Sequence, residues 1–178
     1  MKKTKKILAI VALSVGTFFV GGQVNAGTAR LTWDANSESD LAGYKVYYDT
    51  TSHAGDTTPD NYASTVSVST SANTGYWMDS LTPGNTYYFQ VTAFDTSNNE
   101  SNCSTSPGEV SKTITYRGDI NNTPDHSVDI LDFSILAGHY GSTSYCGTLN
   151  SNKADINRDC TVDILDFSLL ASDFGSSF

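Results

Sequence analysis

The feature that most constrains this chain is an internal duplication. The heptapeptide VDILDFS occurs unchanged at residues 128–134 and 162–168, and the surrounding segments 119–141 and 155–175 also match. Chance does not give such a repeat in a chain of 178 residues. The C-terminal part is therefore predicted to contain two units built on the same plan.

The second copy carries oxygen-bearing side chains at positions 1, 3, 5, 7, 9 and 12 of a twelve-residue loop. These residues are Asp155, Asn157, Asp159, Thr161, Asp163 and Asp166. Ca²⁺ is a hard cation that takes about six to eight oxygen ligands, and this spacing is that of an EF-hand-like loop. Four Asp side chains this close repel one another unless a divalent cation neutralises them. The alternative, an acidic turn that caps a helix, needs only one or two carboxylates.

The first copy repeats these chemical groups on a longer loop. The corresponding residues are Asp119, Asn121, Asp125, Ser127, Asp129 and Asp132. This loop has 14 residues, two more than the second, and the extra residues lie within 121–125. Position 6, where such loops usually carry Gly, is His126 here and Cys160 in the second loop. We expect two Ca²⁺ sites, and the occupancy of the first stays open.

Each loop leads into a predicted amphipathic helix, over residues 130–140 and 164–174, that ends at a glycine. The i, i+4 pairs expected on the apolar faces are Leu131/Ile135 and Leu165/Leu169. The segment before the first loop is strand-like, and the one before the second is rich in Gly, Ser and Asn. Neither loop therefore has the incoming helix of a complete EF-hand.

Residues 1–26 have the pattern of a secretory signal peptide: a basic head, an apolar run and a small-residue end at Ala26. Cleavage there would remove four of the ten basic residues and none of the 19 acidic ones. So acidic a product repels nucleic acid, and no second apolar stretch reaches membrane-spanning length. We expect a secreted protein that is extracellular or on the cell surface, without membrane insertion.

Residues 27–116 alternate apolar and polar side chains with period two between turn signals. This pattern predicts short strands of a β-sandwich. The inward rows are predicted to contain Leu31, Trp33, Tyr44, Val46, Tyr48, Tyr87, Phe89, Val91 and Ala93. No nucleophile or acid–base pair is recognisable, so we expect no enzyme activity.

Trp33, the GYKVYY strand and the segment LTPGNTYYFQVTAFD resemble a fibronectin type III domain. The resemblance implies an immunoglobulin-like sandwich whose Tyr87 forms a tyrosine corner with the preceding turn. It also implies loops that serve as binding sites or a domain that serves as a spacer. Tyr47, Tyr76 and Tyr88 are candidates for stacking on a polysaccharide, and cross-strand packing is the alternative.

The doubled loop and helix, with Asp at position 12 and no entering helices, resembles a type I dockerin over residues 117–178. The resemblance implies calcium ligands at the loop positions given above and a cohesin-type protein partner. The partner-binding positions of that family fall on Ile130, Leu131, Ile164 and Leu165. Many members carry Ser or Thr there, so the apolar Ile-Leu pairs leave two alternatives open: a cohesin outside the familiar cellulose-degrading complexes, or a different kind of partner.

The three cysteines, Cys103, Cys146 and Cys160, are an odd number in a compartment that permits disulfides. We expect a disulfide between Cys146 and Cys160 that leaves Cys103 free. The alternative, in which Cys160 is only a small loop residue, stays open.

The sequence thus predicts two domains, an all-β immunoglobulin-like sandwich and a small all-α calcium-binding module. The predicted function is calcium-dependent docking onto a cohesin-type partner in an extracellular assembly linked to polysaccharide degradation. The alternative is a carbohydrate-binding or spacer sandwich with a purely structural calcium clip.

Overall fold

The structure, a computed structural model, describes residues 26–69, 72, 74–103, 108–121, 123–143 and 153–178. The predicted signal peptide lies outside these residues except for Ala26. In the described ranges no helix is long and apolar enough to cross a membrane.

The first part of the chain forms two antiparallel sheets, as the period-two alternation predicts. The strands are β1 (Gly27–Thr32), β2 (Leu41–Asp49), β3 (Ser64–Val68), β4 (Gly75–Leu81), β5 (Thr86–Asp95) and β6 (Val110–Thr113). One sheet pairs β1 with β4, and the other has the order β3-β2-β5-β6. β1 pairs with a strand on one side only within the described residues, apart from a single bridge between Gly27 and Tyr116.

The sandwich core is built from alternate residues of both sheets. Tyr44, Val46 and Phe89 are almost fully buried, and all of the other predicted inward residues pack against this core. Trp33 follows β1 and packs its ring on Tyr44 at a centroid distance of 5.2 Å. The Thr82 amide donates to the Tyr87 hydroxyl at 3.3 Å, which is the predicted tyrosine-corner contact.

The second part contains two helices of equal length, α1 (Ile130–His139) and α2 (Ile164–Asp173). Gly141 and Gly175 follow them with φ of 79° and 82°, a left-handed conformation that glycine adopts without a Cβ clash. Each helix therefore ends just before its glycine, as the sequence predicts, and its last helical residue is one position earlier than predicted.

The two helices share one apolar core with the loops that precede them. Phe133 and Phe167 meet edge to face at 5.7 Å. The buried members of this core are Ile120, Val128, Leu136, Ala154, Ile156, Val162 and Leu170. The duplicated sequence thus contributes equivalent residues from both repeats.

The predicted helix faces were only partly right. Ile135 and Leu169 pack against the core, but Leu131 and Leu165 are more than half exposed. Leu136 and Leu170 are buried in the shared core instead, so the buried face lies one residue further along the chain.

The two repeats are joined through the backbone of their central valines. The Val128 amide donates to the Ser176 carbonyl at 2.9 Å, and the Gly175 amide donates to the Val128 carbonyl at 2.8 Å. Val162 makes the equivalent bonds to Gly141 and Ser142 at 2.8 and 3.0 Å. Each repeat therefore bonds to the segment that follows the helix of the other.

Candidate functional site

The second loop is curled around the side chains at positions 1, 3 and 5. The amide of Cys160 donates to Asp155 Oδ2 at 3.0 Å. The amide of Asp159 donates to Asn157 Oδ1, and that of Thr161 to Asp159 Oδ1, both at 2.9 Å. These bonds hold the alternate residues of the predicted ligand set in one compact loop.

The Asp at position 12 closes each loop. Asp166 accepts the amides of Ile156, Asn157 and Asp163 at 2.7, 3.0 and 2.9 Å. Asp132 accepts the three equivalent amides of the first loop at 2.8 to 2.9 Å. Because one carboxylate binds both ends of its loop, the loop and the first helical turn form a single unit.

The Asp at position 9 begins each helix. Asp163 Oδ1 accepts the Leu165 amide at 2.7 Å, and Asp129 Oδ1 accepts the Leu131 amide at the same distance. Together with the acid at position 12 these residues form capping boxes. Helix capping thus accounts for two of the acids in each loop and leaves positions 1 and 5 without that role.

Position 6 keeps the left-handed turn although neither loop has Gly there. His126 has φ 48° and Cys160 has φ 83°. Such a conformation costs a non-glycine residue about 1 kcal/mol, which the surrounding hydrogen bonds must offset. Cys160 is disulfide-bonded, and Cys103 is free and buried. Because Cys146 lies outside the described residues, the Cys146–Cys160 pairing stays a prediction.

The described residues around the insertion in the first loop are joined by local hydrogen bonds. The Thr123 amide donates to Asn121 Oδ1 at 2.9 Å, and the His126 amide donates to the Thr123 carbonyl at 3.3 Å. The Thr123 hydroxyl also donates to Asp125, which holds the pKa of that carboxyl below its usual value. The insertion therefore changes the middle of the loop, while positions 9 and 12 match the second loop.

The loops bury negative charge. Asp119, Asp132, Asp155 and Asp166 are at most 7% exposed. No Lys, Arg or His side chain in the described residues pairs with Asp132 or Asp166. Buried charges are normally paired or coordinate a metal, so a cation bound by hard oxygens fits this donor set.

The acids are not gathered into a tight group. No three His, Cys, Asp or Glu side chains within the described ranges lie close enough together to hold a metal ion. Asp159 instead accepts bonds from Thr161 and from the Asn157 side chain, at 2.9 and 2.8 Å. Calcium loops of this type also use amide oxygens and backbone carbonyls as ligands beside the carboxylates.

The first two helical residues of each repeat form an exposed apolar pair. Ile130, Leu131, Ile164 and Leu165 are 54 to 61% exposed. Tyr140 and Phe174, at the ends of the helices, are exposed to the same degree. All four predicted partner-binding side chains are therefore accessible, and both repeats present the same surface.

The sandwich offers fewer accessible aromatic side chains than its sequence indicates. Tyr47, Tyr76 and Tyr88 are each half-buried. The Tyr47 hydroxyl donates to Glu100 at 2.7 Å, and burial together with that carboxylate raises the pKa of Tyr47 to about 12. Tyr47 is thus a partner in a sheet network rather than a free stacking surface.

The structure shows a contact between the two domains that the sequence did not predict. Arg158, at position 4 of the second loop, pairs with Asp79 and places its guanidinium 4.4 Å from the Trp77 ring centre. Both partners lie on β4 of the sandwich. The only sequence signal was a single basic residue within an acidic loop.

Comparison with known proteins agrees with this division of the chain. The family model for the fibronectin type III domain matches residues 18–106, and that for the dockerin type I domain matches residues 117–174. No curated protein matches the chain. Type I dockerin domains bind calcium, and both kinds of domain are non-catalytic modules.

Several solved structures are similar at low identity. The FN1-FN3 domains of chicken CNTN1 share 22% identity with a TM-score of 0.39, over 51% of this chain and 26% of that one. A myokine shares 14% sequence identity with a TM-score of 0.37, over 52% of this chain and 86% of that one. A mutant type II Cohesin-X-Dockerin complex from Acetivibrio cellulolyticus shares 16% sequence identity with a TM-score of 0.29. The match covers 86% of this chain and 97% of that one.

The chain spans about a quarter of the CNTN1 protein chain, and these TM-scores are low. The assignment therefore depends on the family models together with the two-sheet and two-helix architecture described above. This chain belongs to the fibronectin type III family over its first half, and a type I dockerin domain follows.

Proposed function

We propose that this protein is a secreted, non-catalytic component that docks through its dockerin domain onto a cohesin-type partner. The observation that carries the proposal is the pair of exposed Ile-Leu surfaces, repeated at the two helix starts of a type I dockerin. The assembly would be extracellular or on the cell surface, in line with the predicted signal peptide. A role in polysaccharide degradation is part of the same proposal.

The proposed calcium ligands are the acidic, amide and hydroxyl residues of both loops, with the position-7 residue contributing its backbone carbonyl. They are Asp119, Asn121, Asp125, Ser127, Asp129 and Asp132 in the first, and Asp155, Asn157, Asp159, Thr161, Asp163 and Asp166 in the second. Bound Ca²⁺ would supply the positive charge that buried Asp132 and Asp166 lack among the described side chains. The boundary between the domains is proposed at 116/117, because Ile114 is buried in the sandwich core and Tyr116 still forms a bridge with Gly27 of β1.

The binding surface is proposed to contain the two exposed pairs, Ile130 with Leu131 and Ile164 with Leu165. Apolar anchors at the centre of an interface carry much of the binding energy, and four large exposed apolar residues on a small domain are unusual without a partner. Because the repeats are equivalent, either pair could contact the same cohesin surface after a half-turn of the domain.

The proposal is tested by cohesin binding with calcium and with excess chelator, for the full chain and three variants. Leu131→Asp should weaken binding partly, and so should Leu165→Asp, because the other repeat remains. The double variant should lose binding while it still binds calcium. A matched control is Val110→Asp, since Val110 is also exposed but lies on the sandwich.

The other functions are outcomes of the same experiment. Glycan retention without cohesin binding would favour a carbohydrate-binding sandwich. Calcium binding without binding of either cohesin or glycan would favour a structural calcium clip. Normal cohesin binding by the double variant would show that the Ile-Leu pairs are not the interface.

A further inference from the structure

We propose that the second calcium loop is also a docking element for the sandwich, so that calcium binding and the contact between the two domains are thermodynamically linked. The inference rests on the proposed ligand set of that loop. It assigns a partner to the β4 surface of the fibronectin domain, namely the dockerin loop of the same chain.

The contact has two components that converge on one side chain. Arg158 pairs with the carboxylate of Asp79, and its guanidinium lies over the Trp77 ring at 4.4 Å. A planar guanidinium satisfies both partners at once, because it forms ion pairs within its plane and stacks through its faces. Arg158 is 22% exposed and Asp79 is 49% exposed, so the pair lies at the edge of the contact.

The acceptor surface on the sandwich is preorganised. Arg30 on β1 is paired in register with Trp77 on β4, and its guanidinium lies 5.8 Å from the same ring centre. Trp77 thus contacts two cationic side chains, one from its own sheet and one from the loop. Arg158 therefore adds to a contact between Arg30 and Trp77 that the pairing of β1 with β4 already positions.

The position of Arg158 in the loop connects this contact to calcium. Arg158 lies between Asn157 and Asp159, two proposed ligands whose side chains and amides are bonded to each other. Its own φ is +64°, a left-handed conformation that is unfavourable for a residue with a side chain. The same loop conformation therefore presents the ligands to the ion and the guanidinium to Asp79.

The first loop has a different contact with the sandwich. His126 stacks on Phe178 at a centroid distance of 4.9 Å, and Phe178 lies against Gly84 in the tyrosine-corner turn. No ion pair joins the described residues of that loop to the sandwich. The ion pair with the sandwich is therefore a second difference between the two loops, besides the two-residue insertion in the first.

The coupling between calcium binding and the β4 contact is reciprocal by thermodynamic linkage. If calcium favours the loop conformation that places Arg158 on β4, then the β4 contact raises the calcium affinity of the second loop by the same factor. We expect a factor of about five, at the lower end for coupled sites, because the ion pair is partly exposed. Weakening the contact from the sandwich side should lower that affinity.

Asp79→Asn in the full chain is the most direct test, because it changes the sandwich and no proposed ligand. Asp60→Asn is the matched control, since it removes the same charge from an exposed position of the sandwich. Calcium is titrated while total binding is followed by calorimetry and the environment of Trp77 by tryptophan fluorescence. A Trp77→Phe variant identifies the part of the fluorescence signal that comes from Trp77.

We expect calcium to change Trp77 fluorescence, and Asp79→Asn to shift that transition to about fivefold higher calcium. Asp60→Asn should titrate like the unmodified protein. Arg158→Lys keeps the charge but loses the planar stack, so it should also weaken the transition, and its effect should not add to that of Asp79→Asn.

Two results would overturn the proposal. If calorimetry shows normal calcium binding and Asp79→Asn titrates like Asp60→Asn, the domains are not linked, although the proposed ligand set stands. If calorimetry shows no calcium binding by the unmodified chain, both the linkage and the calcium part of the proposed function are wrong.

Discussion

Two leucines of helix α1 allow a quantitative test of which helix face is core and which is interface. Leu136 is 1% exposed and belongs to the core shared by the two repeats, whereas Leu131 is 54% exposed. Both are leucines of the same helix, so Leu→Ala removes the same atoms at the two positions. The difference between the variants therefore reports mainly on the burial of the two side chains.

The expected magnitudes follow from that difference. Leu136→Ala removes a fully buried side chain and should lower the free energy of unfolding by about 3 kcal/mol. A domain with so small a core has a total stability near the low end of about 5–15 kcal/mol, so most of it would be lost. Leu131→Ala should change stability by less than about 0.5 kcal/mol.

Urea unfolding of the full chain in saturating calcium measures both effects. In the described residues the helices lie only in the dockerin domain, so the helical circular dichroism signal reports on that domain. Trp33 lies in the fibronectin domain and gives an internal control by fluorescence in a Trp77→Phe background, because Trp77 contacts Arg158 of the second loop. Equal losses of stability in the two variants, or a larger loss for Leu131→Ala, would refute the assignment of the faces.

Three further results are expected. Burial raises the pKa of Glu100, but hydrogen bonds from Lys45 and neighbouring hydroxyls outweigh burial, so the pKa of Glu100 is lowered in the folded protein. The ionised Glu100 therefore stabilises the fold above its unfolded-state pKa, and this stabilisation is lost as pH falls through the lower folded-state pKa. Glu100→Gln should therefore flatten the acid side of the stability curve of the sandwich, measured by tryptophan fluorescence in urea between about pH 6 and pH 3. Thiol counting on the unreduced protein should find one free thiol, that of Cys103, and three would reject the disulfide. Asp155→Ala and Asp166→Ala should each abolish calcium binding at the second loop in calorimetric titration, because each removes a charged oxygen donor; two remaining sites would contradict this.

Local periodicity was sufficient to predict the strands, the helix starts and the helix ends. Period-two alternation identifies a strand by itself, and Gly141 and Gly175 mark helix ends because the left-handed conformation favours glycine there. The loop bonds of Asp155 and Asp166 also follow from sequence spacing, since the residues that they join are close in the chain.

Contacts between distant segments could not be predicted in this way. The burial of Leu136 rather than Leu131 depends on how the second repeat packs against the first. The pairing of Arg158 with Asp79 joins residues of two different domains, and neither shows a local pattern that indicates the other. Burial, ion pairs and docking between segments are set by tertiary packing, which a local pattern does not contain.

The central claim, that calcium holds the dockerin domain together, is tested most directly by following the helical signal of the full chain while calcium is removed. The four buried Asp side chains of the loops and a small apolar core lead us to expect loss of this signal in excess chelator and its return when calcium is restored. Trp33 fluorescence, measured in the Trp77→Phe variant, should show that the sandwich stays folded throughout. A helical signal that is unchanged in excess chelator would contradict the claim.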